Sequence, residues 1–353
     1  MTLNSRIRKF ISVIRRSDLD AVLINHETDI RYLTAYPAHD ALLLVTAHEA
    51  FYITDSRYIE EVKKGLDGIT PVQFERSISE QVVLCCRKAH VRRLGIDERY
   101  LTVDQYKRLK GFCNKDISIF VANGCVDGLR VVKEPGELKL MREALRLNLK
   151  AYRSIKPWLK PGVAEVDILH RLQTFIRKEG IAFAFDPIIA SGPNSAYPHA
   201  RVTDRKLCRK EPVLIDLGMD YKGYKSDLTR MFFLDTMPTS YKDVLSIVCD
   251  AQHEAFKVIR PGVLGKDVDA VVRNYLKKHD LAQRFTHSLG HGVGMEVHEA
   301  PRLSVTSNDL LQENMVCTVE PGVYFPGKYG IRLEEMVLVT KKGCEVLTRT
   351  MGV

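Results

Sequence analysis

Over residues 1–127, short apolar runs alternate with longer stretches in which apolar residues recur every three or four positions. AVLI (21–24), ALLLV (41–45), FYIT (51–54), RLGI (93–96) and SIFV (118–121) have the length and side-chain types of strands. Between them, 77–90 and 103–112 carry helical spacing. Leu3, Ile7, Phe10, Ile11 and Ile14 fall on one face of an opening helix. This alternation predicts an α/β domain. Asn123, Gly124 and Gly128 then break the pattern, and Pro135 suits the first turn of a helix whose apolar face is Leu138, Met141, Leu145 and Leu149. The expected boundary lies near residue 127, giving domains 1–127 and 128–353. In the second, helical segments (136–157, 165–179, 240–259, 266–279) come between strands at 187–191, 213–219, 228–234, 315–320 and 336–340. This is an α+β pattern, and its two helix-helix-strand-strand halves hint at an internal duplication.

Composition narrows the function. A chain of 353 residues with 45% apolar content can bury two cores, and 27% charged residues argue against disorder. The longest aliphatic run, Ala41 to Val45, is too short to cross a bilayer. The N-terminal stretch is basic and amphipathic, without the apolar core of a signal peptide, so a cytoplasmic protein is expected. The eight cysteines form no CxxC pair and read as reduced, buried thiols. The net charge of +9 is diffuse, with no basic stripe interleaved with aromatics, which argues against a nucleic-acid partner.

Candidate chemistry gathers in THSLGHGVGMEVHEAP (286–301). HEAPR (298–302) begins like the zinc motif HExxH but has Arg302 in place of the second His, and the glycines do not form GxGxxG. If 291–298 is a strand, His291, Val293, Met295 and Val297 face one way, and Gly292, Gly294, Glu296 and His298 the other. The two histidines then share a face only if the glycines bend the chain. Four carboxylates add to this. Asp216 lies inside the apolar VLIDLGM, Asp227 precedes LTRMFFL, Glu320 ends MVCTVE, and Glu334 lies in IRLEEMVLV, two residues after Arg332. Buried acids need cations. Four clustered carboxylates would be neutralised by two divalent ions, and one imidazole among oxygen donors suits manganese, cobalt, iron or zinc.

The strings IDLGMDYKGYKSDLTR, HSLGHGVGMEVHEAP, VEPGVY and IRLEEMVLV resemble those of the pita-bread metallopeptidases, and within them the Xaa-Pro dipeptidase and aminopeptidase P branch. The resemblance covers most of 128–353, and the preceding domain fits that branch's creatinase-like α/β domain. It implies that Asp216 binds one metal, Asp227 and Glu334 bridge two, and His291 and Glu320 complete the other's shell. A hydroxide between the ions would attack the peptide bond before proline, with Glu320 shuttling the proton to the leaving nitrogen. It further implies that His199 (in ASGPNSAYPHA) faces substrate, that His298 stabilises the oxyanion, and that Arg332 orients the acids. Phe185 and Val297 would line the proline pocket. His287 and Glu296 read as structural. Ala200 and Lys225 depart from the common Gly and Cys or Asn but remove no ligand.

The expected function is therefore a dinuclear-metal Xaa-Pro peptidase acting on proline-containing di- or oligopeptides, with manganese the favoured metal and a homodimer implied by the family. Dipeptidase and aminopeptidase action stay open. Methionine aminopeptidase action on the same scaffold is a rival, marked by release of Met from Met-Ala. A creatinase-like hydrolase is a further relative, though that chemistry does not need the full ligand set. A non-catalytic peptide-binding module is another rival, marked by purified protein without transition metal.

Overall fold

The computed structural model describes residues 4–348. The chain divides into two compact units, the first ending at Arg130 and the second beginning at Val131.

The first unit is built on one six-stranded sheet. In spatial order its strands are Thr70–Gln73, Ala50–Thr54, Leu42–Thr46, Ala21–Ile24, Arg93–Ile96 and Ser118–Val121. Only Leu42–Thr46 runs against its neighbours. The central strands are buried throughout, as expected of a sheet with both faces covered. Leu44, Phe51, Ile53, Val82, Val83, Leu94 and Leu109 form one core on this sheet. The opening helix, Ser5–Arg16, buries Ile7, Phe10, Ile11 and Ile14, and the Asn4 side chain caps it by accepting from the Ile7 amide; Leu3 lies outside the described residues. Thr70–Gln73 went unpredicted because this edge strand is largely exposed and contains Pro71, so it lacks an apolar run. Of the cysteines, Cys85, Cys86, Cys113 and Cys317 are buried and Cys208 is exposed, against expectation.

In the second unit, four helices carry the apolar faces that the spacing predicted: Pro135–Ile155, Glu165–Glu179, Thr239–Val258 and Gly265–Lys278. Each pair is joined through a Pro-Gly-Val, at 161–163 and 261–263. Gly162 and Gly262 take φ of +89° and +87°, and their amides donate to Leu207 O and Leu311 O, each at 2.9 Å. Isolated bridges Ala164–Lys206 and Leu264–Leu310 follow at matching places. The duplication hinted at by the pattern is thus present in the backbone.

The strands of this unit depart from the simple alternation in three places that matter for chemistry. The single strand expected over 213–219 is two, Pro212–Leu217 and Met219–Tyr221. A Cβ on the intervening Gly218 would come within 2.4 Å of Phe185 and 2.6 Å of Ser226 O, so only glycine lets the chain pass there. Residues 291–298 are not a strand. Gly290–Gly292 is, its register with Glu299–Leu303 shifts after His291, and 293–298 form a loop. Finally, Glu334 is not inside a strand but in the break between Tyr329–Arg332 and Glu335–Val339.

Candidate active site

A cleft of about 980 Å³ in the second unit is lined by all ten residues singled out in the sequence: Phe185, His199, Asp216, Asp227, His291, Val297, His298, Glu320, Arg332 and Glu334. Different elements deliver them. Asp216 sits in the fully buried strand Pro212–Leu217, opposite Thr229 of the neighbouring Leu228–Phe233 strand. Asp227 lies one residue before that strand. Glu320 follows Val316–Val319, which pairs with Glu335–Val339, so Glu320 and Glu334 leave adjacent strands at the same end. His291 is in the short Gly290–Gly292 strand. A Cβ on Gly290 would lie 2.1 Å from Thr318 O, and one on Gly292 2.0 Å from Ala300 O. Both glycines therefore permit the close backbone approach that presents His291.

Asp227, His291 and Glu334 each offer a ligand atom within 4.8 Å of the others. His291 Nε2 lies 3.3 Å from Glu320 Oε1 and 3.8 Å from Asp227 Oδ2. His291 Nδ1 is 3.1 Å from Gly292 O, an oxygen that can only accept. Nδ1 therefore carries a proton, and Nε2 faces two carboxylates, where it donates to Glu320 in ion-free protein and can offer its lone pair to a cation instead. Asp216 Oδ1 and Asp227 Oδ1 are buried and have no hydrogen-bond partner among the described residues. Four carboxylates, an imidazole lone pair and two orphaned buried oxygens fit a pair of divalent ions.

The electrostatics agree. Burial, then repulsion from Glu334, Asp216 and Glu320, holds the Asp227 carboxyl well above its ordinary range. Burial and the charges of Glu320 and Asp216 do the same for Glu334. Asp216 is raised by burial but pulled back by Arg332. Glu320 goes the other way: burial would raise it, but the hydrogen bond and charge of His291, with His287 and Arg332, hold it below the ordinary value. In ion-free protein Asp227 and Glu334 thus bind protons that the unfolded chain releases near pH ~4. That contribution to stability is complete below the unfolded pKa and is lost as pH rises through the folded one. Divalent ions replace these protons. The rise in melting temperature on adding Mn²⁺ is therefore expected to be larger at about pH 8 than at about pH 5.5. Scanning calorimetry at both pH values checks this, and an equal rise would mean the carboxyls hold no protons.

Arg332, expected to orient the acids, is joined in supporting the cluster by Thr229, Thr318 and Tyr324, which the sequence did not single out. The Thr229 hydroxyl donates to Glu334 Oε2 at 2.8 Å, and the Thr318 hydroxyl to Glu320 Oε1 at 3.2 Å. Arg332, 3% exposed, donates to Asp216 Oδ2 at 2.6 Å, Tyr324 Oη at 2.8 Å, Thr229 Oγ1 at 3.1 Å and Pro198 O at 3.1 Å. Tyr324 Oη is also 2.9 Å from His287 Nε2, so a chain of bonds runs from His287 to Asp216. A sequence signal existed for part of this. Thr229, Thr318 and Arg332 each stand two positions from a ligand candidate, the spacing of one strand face. His287 and Tyr324 offered no such signal.

The remaining predicted residues lie around the cluster. The rings of His291 and His298 are 4.3 Å apart at 72°, because the loop after Gly292 turns His298 back to the same side. Burial, then the His291 charge, holds the His298 imidazole below its ordinary value, so it is a neutral donor. His199 is exposed on the cleft wall, in the loop after a 3-10 turn at Gly192–Ala196. Phe185 and Val297 give the wall apolar surface. Glu296 is not among the lining residues, and Lys225 pairs with Asp220 away from the cleft. Arg302 was passed over as a broken zinc motif. It stands across the strand pair from His291, lines the cleft, and forms no ion pair among the described residues. No helix among the described residues is long and apolar enough to cross a membrane.

Known proteins share the whole arrangement. Residues 139–341 match metallopeptidase family M24, and residues 6–132 match the creatinase/prolidase N-terminal domain. A Xaa-Pro dipeptidase from Bacillus anthracis of solved structure is 33% identical, with 98% of this chain and 97% of that one covered and a TM-score of 0.93. An X-Pro aminopeptidase from Thermotoga maritima is 32% identical over 96% and 97% of the two chains, with a TM-score of 0.88. A Xaa-Pro dipeptidase from Pyrococcus horikoshii is 32% identical over 99% of this chain and 98% of its own. This chain therefore belongs to metallopeptidase family M24: it is a metal-dependent peptidase with a pita-bread catalytic domain behind a creatinase/prolidase N-terminal domain.

Proposed function

We propose that this chain is a Xaa-Pro dipeptidase, hydrolysing the bond before proline in short peptides. One observation carries the reading: five candidate ligands and Arg302, which has no ion pair among the described residues, line one cleft whose wall includes Phe185 and Val297. The bond before proline has no N–H and a restricted geometry, so enzymes that grip the backbone amide handle it poorly. A small apolar wall suits the pyrrolidine ring instead. An arginine beside it suits the carboxylate that follows proline when the substrate ends there.

Asp216, Asp227, His291, Glu320 and Glu334 would hold two divalent ions, with manganese the metal we favour for this hard donor set. When bound, such ions acidify water and polarise the scissile carbonyl. The side chains supply the rest. Glu320, kept ionised by His291, takes the proton of the attacking water and passes it to the proline nitrogen. His298 donates to the carbonyl oxygen as negative charge develops there. His199 orients the peptide, and Arg332 keeps Asp216 ionised and aimed. A homodimer and a cytoplasmic location accompany this reading. Light scattering tests the first and fractionation the second.

The test is incubation with Ala-Pro, Gly-Pro and Arg-Pro-Pro, with and without Mn²⁺. Mn²⁺-dependent cleavage of the dipeptides is expected. Release of arginine from the tripeptide alone would make the enzyme an aminopeptidase, and cleavage of none would end the proline assignment. Arg302→Met is expected to raise KM for Ala-Pro by roughly 10- to 100-fold, the worth of a charge-assisted hydrogen bond. An unchanged KM would remove Arg302 from substrate binding.

A further inference from the structure

We propose that Gln252 is a positioning residue for the metal centre, its side-chain amide setting the gap between the two backbone segments that carry Glu320 and Glu334. The proposal rests on the reading of those two carboxylates as metal ligands.

Gln252 lies on the buried face of the helix Thr239–Val258 and is 5% exposed. Its Nε2 donates to Val319 O at 2.8 Å and to Leu333 O at 3.1 Å. Val319 immediately precedes Glu320, and Leu333 immediately precedes Glu334. The strand ladder between these segments ends at the pair Val319–Glu335. Beyond it the pairing is interrupted for one step and then resumes, with the Leu333 amide donating to Pro321 O at 3.3 Å and Gly322 opposite Arg332. The Glu320 amide turns to Leu289 O at 2.8 Å, and the Glu334 amide to Thr229 O at 3.3 Å. At this interruption Pro321 has no N–H to offer Leu333 O, and the Leu333 and Val319 carbonyls both accept from one nitrogen. Only a group with two N–H bonds on one atom can serve both.

A cavity of about 270 Å³ borders this interruption, lined by Gln252, His253, Phe256, Leu333 and Glu334 among others. Arg230 secures the next carbonyl, Glu334 O, at 2.7 Å, while also pairing with Glu335 at 2.8 Å. Nothing in that pair fixes the distance to Glu320. Through one atom Gln252 ties together both ligand-bearing segments, beside the direct bond from the Leu333 amide to Pro321 O. Buried groups that orient ligands in this way typically change metal affinity about 10- to 100-fold when removed.

The experiment compares wild type with Gln252→Met, which keeps size and loses both donors, and with Val248→Ala. Val248 is fully buried one turn earlier on the same helix, so its truncation damages packing and leaves the amide in place. Mn²⁺ affinity is measured by calorimetric titration, the Co²⁺ absorption spectrum reports ligand geometry, and urea unfolding reports stability. Q252M is expected to weaken at least one ion tenfold or more and to alter the Co²⁺ spectrum. V248A is expected to lower the urea midpoint while leaving affinity and spectrum unchanged. Wild-type affinity and spectrum in Q252M overturn the proposal, whatever its urea midpoint. Should Q252M not fold, Q252E, which puts an acceptor where the NH₂ was, decides by the same two readouts. If wild type itself takes up no second ion, the reading of the ligand set fails first, and that outcome is seen before any variant is made.

Discussion

Replacing Glu320 with glutamine is expected to lower kcat for Ala-Pro by about 10³-fold, within the range of a positioned acid–base group. Glu320 differs from Asp227 and Glu334 in two respects. Its side chain is 16% exposed, open to the cleft, while that of Asp227 is 6% exposed and Glu334 is buried. Its carboxyl is also held below the ordinary range, whereas theirs are held above it. It is therefore an ionised acid free to reach substrate, while Asp216 is tied to Arg332. Glutamine keeps the shape and can still accept from Thr318, but it cannot take a proton. Because Glu320 is also a candidate ligand, metal content is measured alongside kcat and KM. A fully loaded E320Q enzyme within tenfold of wild type would place the proton transfer on another group.

Arg332→Met is expected to cost roughly 3–5 kcal/mol of unfolding free energy in ion-free protein at neutral pH, the effect of leaving a buried charge uncompensated. Arg332 is the cation bonded to Asp216 and joins Tyr324, Thr229 and the Pro198 carbonyl in one network. Methionine fills much of the volume but donates nothing. The Asp216 carboxyl, no longer pulled down by the guanidinium, then keeps its proton to higher pH. The cost should shrink on acidification, because a protonated Asp216 needs no counter-charge. It should shrink also on adding Mn²⁺, because the ions supply one. Urea unfolding at two pH values, with and without the metal, checks all three statements. A loss below about 1 kcal/mol at neutral pH would mean that Asp216 is not held as a buried carboxylate.

Much of the protein was legible in the linear pattern, for reasons that are local. The helices Ser5–Arg16 and Pro135–Ile155 and the strands Ala21–Ile24 and Arg93–Ile96 follow from side-chain periodicity, which each segment carries by itself. Asp216 stood out because an acid inside a buried strand has few bland explanations. The glycines around His291 announced a close approach of backbones, though not with what.

Other features needed the folded chain. Glu334 reads as a strand residue, but the chain breaks there because its amide turns to Thr229 O, 105 residues away, and leaves its own ladder. His291 and His298 share a side only because the loop after Gly292 gives up the alternation a strand would impose. The bond of Arg332 to Asp216 spans 116 positions, and the reach of Gln252 to Val319 spans 67. By itself the sequence determined which residues are acids in apolar surroundings and where helices and strands run, since burial and period are properties of a short window. The tertiary structure alone decided which of those groups face one another, because register, strand ends and loop direction are set by contacts between segments that share no window.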